Sequence, residues 1–456
     1  MNFNSGGVNP QNNNNRYNGF AVRPVQHTLL NRHLFFLFMV LSRQQLLLDL
    51  YQAYYDAKRH KSKRSYVRKW ESDMRENMER LCDDLFNRTY RPLPSKCFIV
   101  DYPKKREIFA AQFRDRIVHH LYFNYTNKLF ERTFIADTYS CIVGRGAHYG
   151  IGRIRDFCRK ESRNWQRKCY VLHLDIRGYF MHINRQRLLE IAVGSLRKMA
   201  THKADGKRTW GEVLDIGFVE WMTEQIALLD PKRNCVICGE PSDWDGLDPA
   251  KSMLHLNNGL GLPIGNLTSQ LFSNVYLNVF DQFMKRELKC RYYGRYVDDA
   301  AVVSADKDWL LSLVPDVDRF LRSELGLELH KGKLEVSEVH RGVEFLGAYI
   351  KPWRTYVSNH SLRRMERKIA DFDYSRPWLV ARSVNSYLGI FQHTSSYRLR
   401  RRLFMTKPLI KICIFNPDMK KCSCVRTRFC TQIHPKYNLS NLDFITFLIF
   451  VNYVLF

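Results

Sequence analysis

Two apolar stretches, far apart in the chain, end on carboxylates, and they constrain the fold more than any other feature. Tyr170-Val171-Leu172-His173-Leu174 is short, mostly apolar and stops at Asp175. Such a run reads as a strand. Tyr292 to Ser304 reads as two short strands with Asp298 and Asp299 at the bend. An Asp-Asp pair alone is a weak sign, because most such pairs sit in solvated loops. One carboxylate at a strand end and two at a hairpin bend are a stronger one. Magnesium prefers hard oxygen ligands, so its site needs carboxylates that converge from separate elements. Two such ions about 3.5 to 4 Å apart stabilise the attacking and leaving oxygens in phosphoryl transfer.

The rest of the chain suits a polyanionic partner. Lysine and arginine number 72 against 45 acidic residues, a formal net charge of +27. A surplus of that size is explained most simply by nucleic acid. An anionic membrane surface is the rival, but the basic residues are scattered over the whole length and form no juxtamembrane cluster. The longest apolar runs, Leu34 to Leu41 and Leu442 to Phe456, fall short of the roughly 20 residues of a spanning helix. No basic n-region and apolar h-region occupy the first thirty residues. The 12 cysteines have no framework spacing. A reducing cytoplasm and no membrane are therefore expected.

Along the chain, residues 1–28 are rich in asparagine and glycine, and Gln11 through Asn15 carry no apolar side chain. Such a segment is expected to be disordered. Leu46, Leu47, Leu50, Tyr51, Tyr54 and Tyr55 fall at helical spacing, as do Met74, Met78, Leu81 and Leu85. Residues 343–350 and 354–358 read as a hairpin, and 361–405 as basic helices. Beyond Lys407 the periodicity weakens and cysteines cluster.

Several further segments stand in order around the carboxylates. Residues 170–180 resemble palm motif A of reverse transcriptases. Residues 259–270, from Gly259 to Gln270, resemble motif B, and residues 292–303 resemble motif C, the Tyr-x-Asp-Asp hairpin. Leu327 to Lys333 resembles motif D. Gly342 to Gly347 resembles motif E, the primer grip. Pro103 to Ile108 and Phe113 to His120 resemble the fingers motifs. The match runs from about residue 40 to about 405. It implies an α+β right-hand polymerase: fingers, a palm of small antiparallel sheet plus helices, and a helical thumb. Fingers and palm would occupy 29–354 and the thumb 355–410, leaving 411–456 as an atypical tail.

The resemblance also implies roles. Asp175, Asp298 and Asp299 would be catalytic and would hold two magnesium ions with the backbone carbonyl of Ile176. Phe180, five residues after Asp175, stands at the family's steric gate, where a ring clashes with a ribose 2′ hydroxyl; a packed core Phe is the plain alternative. Arg106 and Arg114 would grip the incoming triphosphate, since guanidinium forks match phosphate oxygens. Lys333 would sit near the leaving pyrophosphate, with Lys331 as its rival. Ile264, Gly265 and Gln270 would line the nucleotide site, and Phe345, Leu346 and Gly347 the primer grip.

Motif B narrows the subfamily. Ile264 precedes Gly265, and Ser269-Gln270 closes the motif. This form is similar to the reverse transcriptases of diversity-generating retroelements, as are His119-His120 and the segment Phe134 to Gly146. That similarity implies error-prone, adenine-directed cDNA synthesis from a template repeat for mutagenic retrohoming. It also implies template RNA, primer, cDNA and deoxynucleotides as ligands, and a basic, oligomeric accessory variability determinant as partner. Residues 1–25 resemble the variable region of lectin-like targets and read either as template-repeat read-through or as an ordinary disordered tail. A group II intron-type or retron-type polymerase, and a non-catalytic RNA-binding descendant, are the rival readings. Cys235 and Cys238 have zinc-knuckle spacing. No second pair lies nearby to complete four ligands, so zinc is not expected.

Overall fold

The computed structural model describes residues 41–101 and 104–425. The Asn-rich segment 1–28, nearly all of the apolar run Leu34–Leu41, Pro103 and the terminal stretch 442–456 lie outside the described residues.

The chain opens with three helices, α1 Arg43–Lys58, α2 Ser65–Glu71 and α3 Met74–Phe86. Ser42 caps α1, its Oγ accepting from the Gln45 amide at 3.2 Å. Most of the expected helical stripes are buried, Leu46, Leu50 and Tyr54 on α1 and Met78, Leu81 and Leu85 on α3, with Leu47, Tyr51 and Met74 half-buried; Tyr55, at the edge of the α1 stripe, is exposed. A hairpin follows, β1 Ser95–Val100 and β2 Arg106–Ala110, and then α4 Phe113–Glu131 and α5 Ala147–Glu161.

The strand β3 Tyr170–Asp175 leads to α6 Tyr179–His182, α7 Arg185–Ala200, α8 Trp210–Val213 and α9 Ile216–Ala227. The short β4 Cys235–Ile237 pairs in parallel with β1, extending the first hairpin to three strands. Then come α10 Leu267–Arg286, the hairpin β5 Tyr292–Tyr296 and β6 Asp299–Ser304, and α11 Lys307–Leu325. The strands β7 Glu335–Glu338, β8 Val343–Phe345, β9 Ala348–Lys351 and β10 Arg354–Val357 follow. The described chain ends with α12 Asn359–Ala370, α13 Pro377–Phe391, α14 Tyr397–Phe404, α15 Lys407–Ile412 and a hairpin of β11 Cys413–Phe415 and β12 Cys422–Cys424.

The central sheet has the order β5-β6-β3-β7, with every pair antiparallel. Side chains alternate across it with period two. Leu172, Leu174, Ala300 and Val302 enter the large core built with α4, α7 and α10. Val171, Ala301 and Val303 face a second core with α5, β8 and β9. Both faces are covered, which is why these strands read as continuous apolar runs. The second cover is the meander β8-β9-β10, and Phe345 at its first turn sets its ring edge-on to His173 on β3 at 5.9 Å.

The last helices form a third core, around Met365, Val384, Leu388, Phe391 and Phe404. Cys413, Met419 and Cys422 belong to the same core. The core of the last helices thus runs across the position 410/411 and takes in the β11–β12 hairpin. Cysteine serves there as a small apolar core residue. The architecture is α+β: helices packed on both faces of a four-stranded antiparallel sheet, followed by a separate helical core at the end of the described chain.

Candidate active site

Hydrogen-bond register brings the three aspartates together. Asp175, the last residue of β3, lies directly opposite Asp299, the first residue of β6. Asp298 occupies the bend between β5 and β6, next to it. The carboxyls interact strongly. Burial, then the neighbouring Asp299 and Asp175, push Asp298 well above the usual carboxylate range. Burial, then Asp175, raise Asp299 likewise.

A cation on the remaining side offsets part of this charge. Lys333 Nζ lies 2.7 Å from Asp175 Oδ2. Burial, the largest single influence, opposes the lysine's charge, but the bond to Asp175 and the charges of Asp175, Asp299 and Asp298 together outweigh it and raise its pKa. The short 3-10 turn Lys331–Lys333 delivers it, and His330 N donates to the Asp175 carbonyl at 2.8 Å. Lys331, the rival, acts electrostatically on Asp318. Lys104 also belongs to this cluster. Burial and then Arg106, Lys333 and Arg364 lower its pKa, while Asp175 opposes the shift. Crowded cations beside crowded carboxylates suit a triphosphate arriving with divalent metal.

The donor set fits magnesium: hard oxygens, converging from two elements, with mutual repulsion that a divalent cation relieves. Among the described residues, no three His, Cys, Asp or Glu side chains already surround one point. Asp175 Oδ2 is bonded to Lys333 instead. Ile176 is buried beside Asp175 and bridges Leu329.

A cavity of about 430 Å³ opens at Phe180, five residues after Asp175; the three aspartates themselves do not line it. Phe180, Ile264, Gly265 and Gln270 form one wall, and Arg59, Lys61, Arg116, His119 and His120 another. Ile264 engages its neighbours through its carbonyl, which accepts from Phe109 N at 3.2 Å. Gly265 has φ +120°, and an added Cβ would stand 3.1 Å from Ile108 Cγ2. Gln270 Oε1 lies 3.7 Å from Cys141 Sγ. The Phe180 ring is edge-on to Tyr179 at 5.3 Å and lines the cavity.

Arg106 stands at the start of β2, close enough to Lys104 to lower its pKa. Arg114 is placed apart from the cavity. Its guanidinium bonds Asp84 at 2.7 Å and the Arg91 carbonyl at 3.0 Å, and lies over the Tyr90 ring. Arg116, two residues on, faces the cavity instead. Phe345, Leu346 and Gly347 form the β8–β9 turn; Leu346 and Gly347 both have positive φ. Cys235 and Cys238 lie by Cys97, with Cys238 N donating to the Cys97 carbonyl at 2.7 Å.

Sequence reading left out Lys104 and Arg116, although both lie in the quoted fingers motifs. A signal for Arg116 existed: Arg116, His119, His120, Phe123 and Asn124 repeat at i, i+3, i+4, i+7 and i+8, one stripe of α4, and all line the cavity.

Residues 248–350 match the family model described as reverse transcriptase (RNA-dependent DNA polymerase). No curated protein sequence matches the chain. Among solved structures, the chain is similar to telomerase from Candida tropicalis truncated from its C-terminal domain, at 12% identity and TM-score 0.41, over 58% of this chain and 55% of that one. It is also similar to telomerase from Candida albicans in complex with a TWJ fragment of telomeric RNA, at 11% identity and TM-score 0.42, over 70% and 55%. The chain thus spans about half the length of these telomerases. The matched segment, under a quarter of the chain, is thus similar to a reverse transcriptase domain; it includes Gly259 to Gln270, the bend that carries Asp298 and Asp299, and Lys333, while Asp175 precedes it.

Proposed function

We propose that the chain synthesises DNA on an RNA template at Asp175, Asp298 and Asp299, and does so in the error-prone, adenine-directed manner of diversity-generating retroelements. The observation that carries the polymerase reading is the β3–β6 register, which sets Asp175 against Asp299 with Asp298 on the adjoining bend. Those three carboxylates, with the Ile176 carbonyl, would hold two magnesium ions. Bound there, the metal supplies Lewis-acid stabilisation of the attacking and leaving oxygens. Lys104, Arg106 and Lys333 balance the charge of the triphosphate and of the departing pyrophosphate. Phe180 excludes a 2′ hydroxyl, and the turn Phe345-Leu346-Gly347 seats the primer end. Arg59, Lys61 and Arg116, which line the 430 Å³ cavity, take the phosphates of the template RNA.

The subtype rests on Ile264. An aliphatic side chain facing this cavity offers no hydrogen bond near the nascent pair, where glutamine would. Loss of that restraint weakens discrimination against mispairs by roughly 1 to 3 kcal/mol. A basic, oligomeric accessory protein would deliver the template repeat. The test is primer extension on an RNA template with adenines at defined positions. The native chain is expected to misincorporate mainly opposite adenine, and Ile264→Gln to lower that error about tenfold or more. An error spectrum that Ile264→Gln leaves unchanged removes the basis for the subtype.

A further inference from the structure

Behind the catalytic bend lies a buried polar network that the metal site itself does not use. Arg295 on β5 and Asp281 on α10 are both fully buried. Arg295 donates from Nε to Asp281 Oδ1 at 2.8 Å and from Nη2 to Oδ2 at 2.6 Å. Tyr293 and Thr138 donate their hydroxyls to the same carboxylate, at 2.7 and 3.2 Å. The carboxylate is thereby saturated, and Arg295 Nη1 turns to other acceptors. These are the Val297 carbonyl at 2.8 Å and Asn274 Oδ1 at 3.3 Å.

Val297 is gripped at its other end too. Its amide donates to Ser140 Oγ at 3.1 Å. Ser140 Oγ donates to Asn274 Oδ1 at 3.1 Å, and Asn274 Nδ2 donates back to the Ser140 carbonyl at 2.8 Å. Both backbone polar groups of one residue are thus held by side chains, the carbonyl by Arg295 two positions before it and the amide by Ser140 from a distant segment. That residue immediately precedes Asp298 and has φ +54°. A β-branched residue in the left-handed region is strained, and such strain persists only where the surroundings over-determine it.

We infer that Arg295, Asn274 and Ser140 form a clamp on the Val297 peptide that aims the Asp298 carboxyl into the metal site. They are positioning residues, since none of them touches a reacting atom. Asp281 serves the clamp by fixing two of the three guanidinium nitrogens, so that only Nη1 is free to reach the turn. The segment around Ser140 also explains why residues Phe134 to Gly146 run beside motif C: Tyr139 N donates to the Arg295 carbonyl at 2.8 Å, and Arg295 N donates to the Asp137 carbonyl at 2.9 Å. The inference rests on the proposal that Asp298 binds metal.

The test is a Mn²⁺ titration of the full chain without substrate, read as free Mn²⁺ by electron paramagnetic resonance, beside a thermal melt. Ser140→Ala removes one side of the clamp and leaves the buried ion pair intact. Arg295→Lys keeps the charge beside Asp281 but cannot also reach the turn. Both are expected to bind Mn²⁺ about tenfold more weakly than the native chain, as outer-shell changes do, and Ser140→Ala to do so with its melting midpoint preserved. Native Mn²⁺ affinity in Ser140→Ala overturns the clamp, whether or not Arg295→Lys folds. A native chain whose Mn²⁺ binding survives Asp298→Ala refutes the metal site itself, and the clamp falls with it; the two failures are therefore told apart.

Discussion

Phe180 is the residue whose role is most open to a direct test. It stands five positions after Asp175, lines the cavity and is 9% exposed. If the ring bars a 2′ hydroxyl, Phe180→Ala lowers the preference for deoxynucleotides over ribonucleotides, measured as the ratio of kcat/KM values, by roughly tenfold or more. A preserved ratio would leave it a core aromatic. Arginine placement separates two neighbours in the same way. Arg116→Ala should weaken binding of a labelled single-stranded RNA. Arg114→Ala should leave that binding intact and cost about 1 kcal/mol in denaturant unfolding, the scale of a partly exposed pair. At this scale the aspartates were legible because each sits at the end or bend of an apolar strand. The choice of Arg114 over Arg116 was not, since it depends on which face of α4 meets motif B. The bond from Arg114 to Asp84, thirty positions earlier, leaves no mark in local sequence.

Among the elements, α4 carries a pH signature. His119 is buried with Nδ1 2.5 Å from Thr268 Oγ1. Burial, then His120 and Arg116, lower its pKa to about 3. For His120, burial and then Lys61 lower the pKa to about 4, with Arg116 and Arg59 adding to the shift and Asp56 opposing it. Both folded values lie below the unfolded value of about 6.5. The unfolded chain therefore binds more protons in between, and folding stability rises with pH there. The stabilisation is complete above about pH 6.5 and is lost as pH falls towards 4 and then 3. Denaturant unfolding at pH 7.5 and pH 5 should differ by up to roughly 2 kcal/mol per ring; equal stability would contradict buried, neutral imidazoles. The β5 strand makes a second prediction. A Cβ on Gly294 would stand 2.0 Å from Tyr139 Oη, so Gly294→Ala should lower the melting midpoint through a clash costing about 1 to 3 kcal/mol. Strands β3, β5 and β6 were readable from their apolar runs. The pairing of β4 with β1 was not, because about 140 residues separate the partners and three-residue strands carry no period. The β11–β12 hairpin escaped notice for a related reason: its core positions are cysteines on two three-residue strands, where the helical pattern stops.

For the whole molecule, the net charge of +27 sets the behaviour with salt. If several lysines and arginines meet phosphates, RNA affinity measured by fluorescence anisotropy should fall steeply, by on the order of 10³ between 50 and 200 mM salt. A flat response would mean the surplus charge serves something other than a nucleic-acid backbone. Charge alone pointed to the class of partner, and the ordered motifs pointed to the hand-shaped fold. The chemistry, however, depends on distant strands in one register, with Asp175 opposite Asp299. The most direct measurement is magnesium-dependent extension of a DNA primer on an RNA template by the native chain and by Asp298→Asn, with RNA binding measured on both. The account predicts extension by the native chain, none by the variant, and equal RNA binding. Extension that survives the substitution, or a native chain that binds RNA and extends nothing, would contradict it.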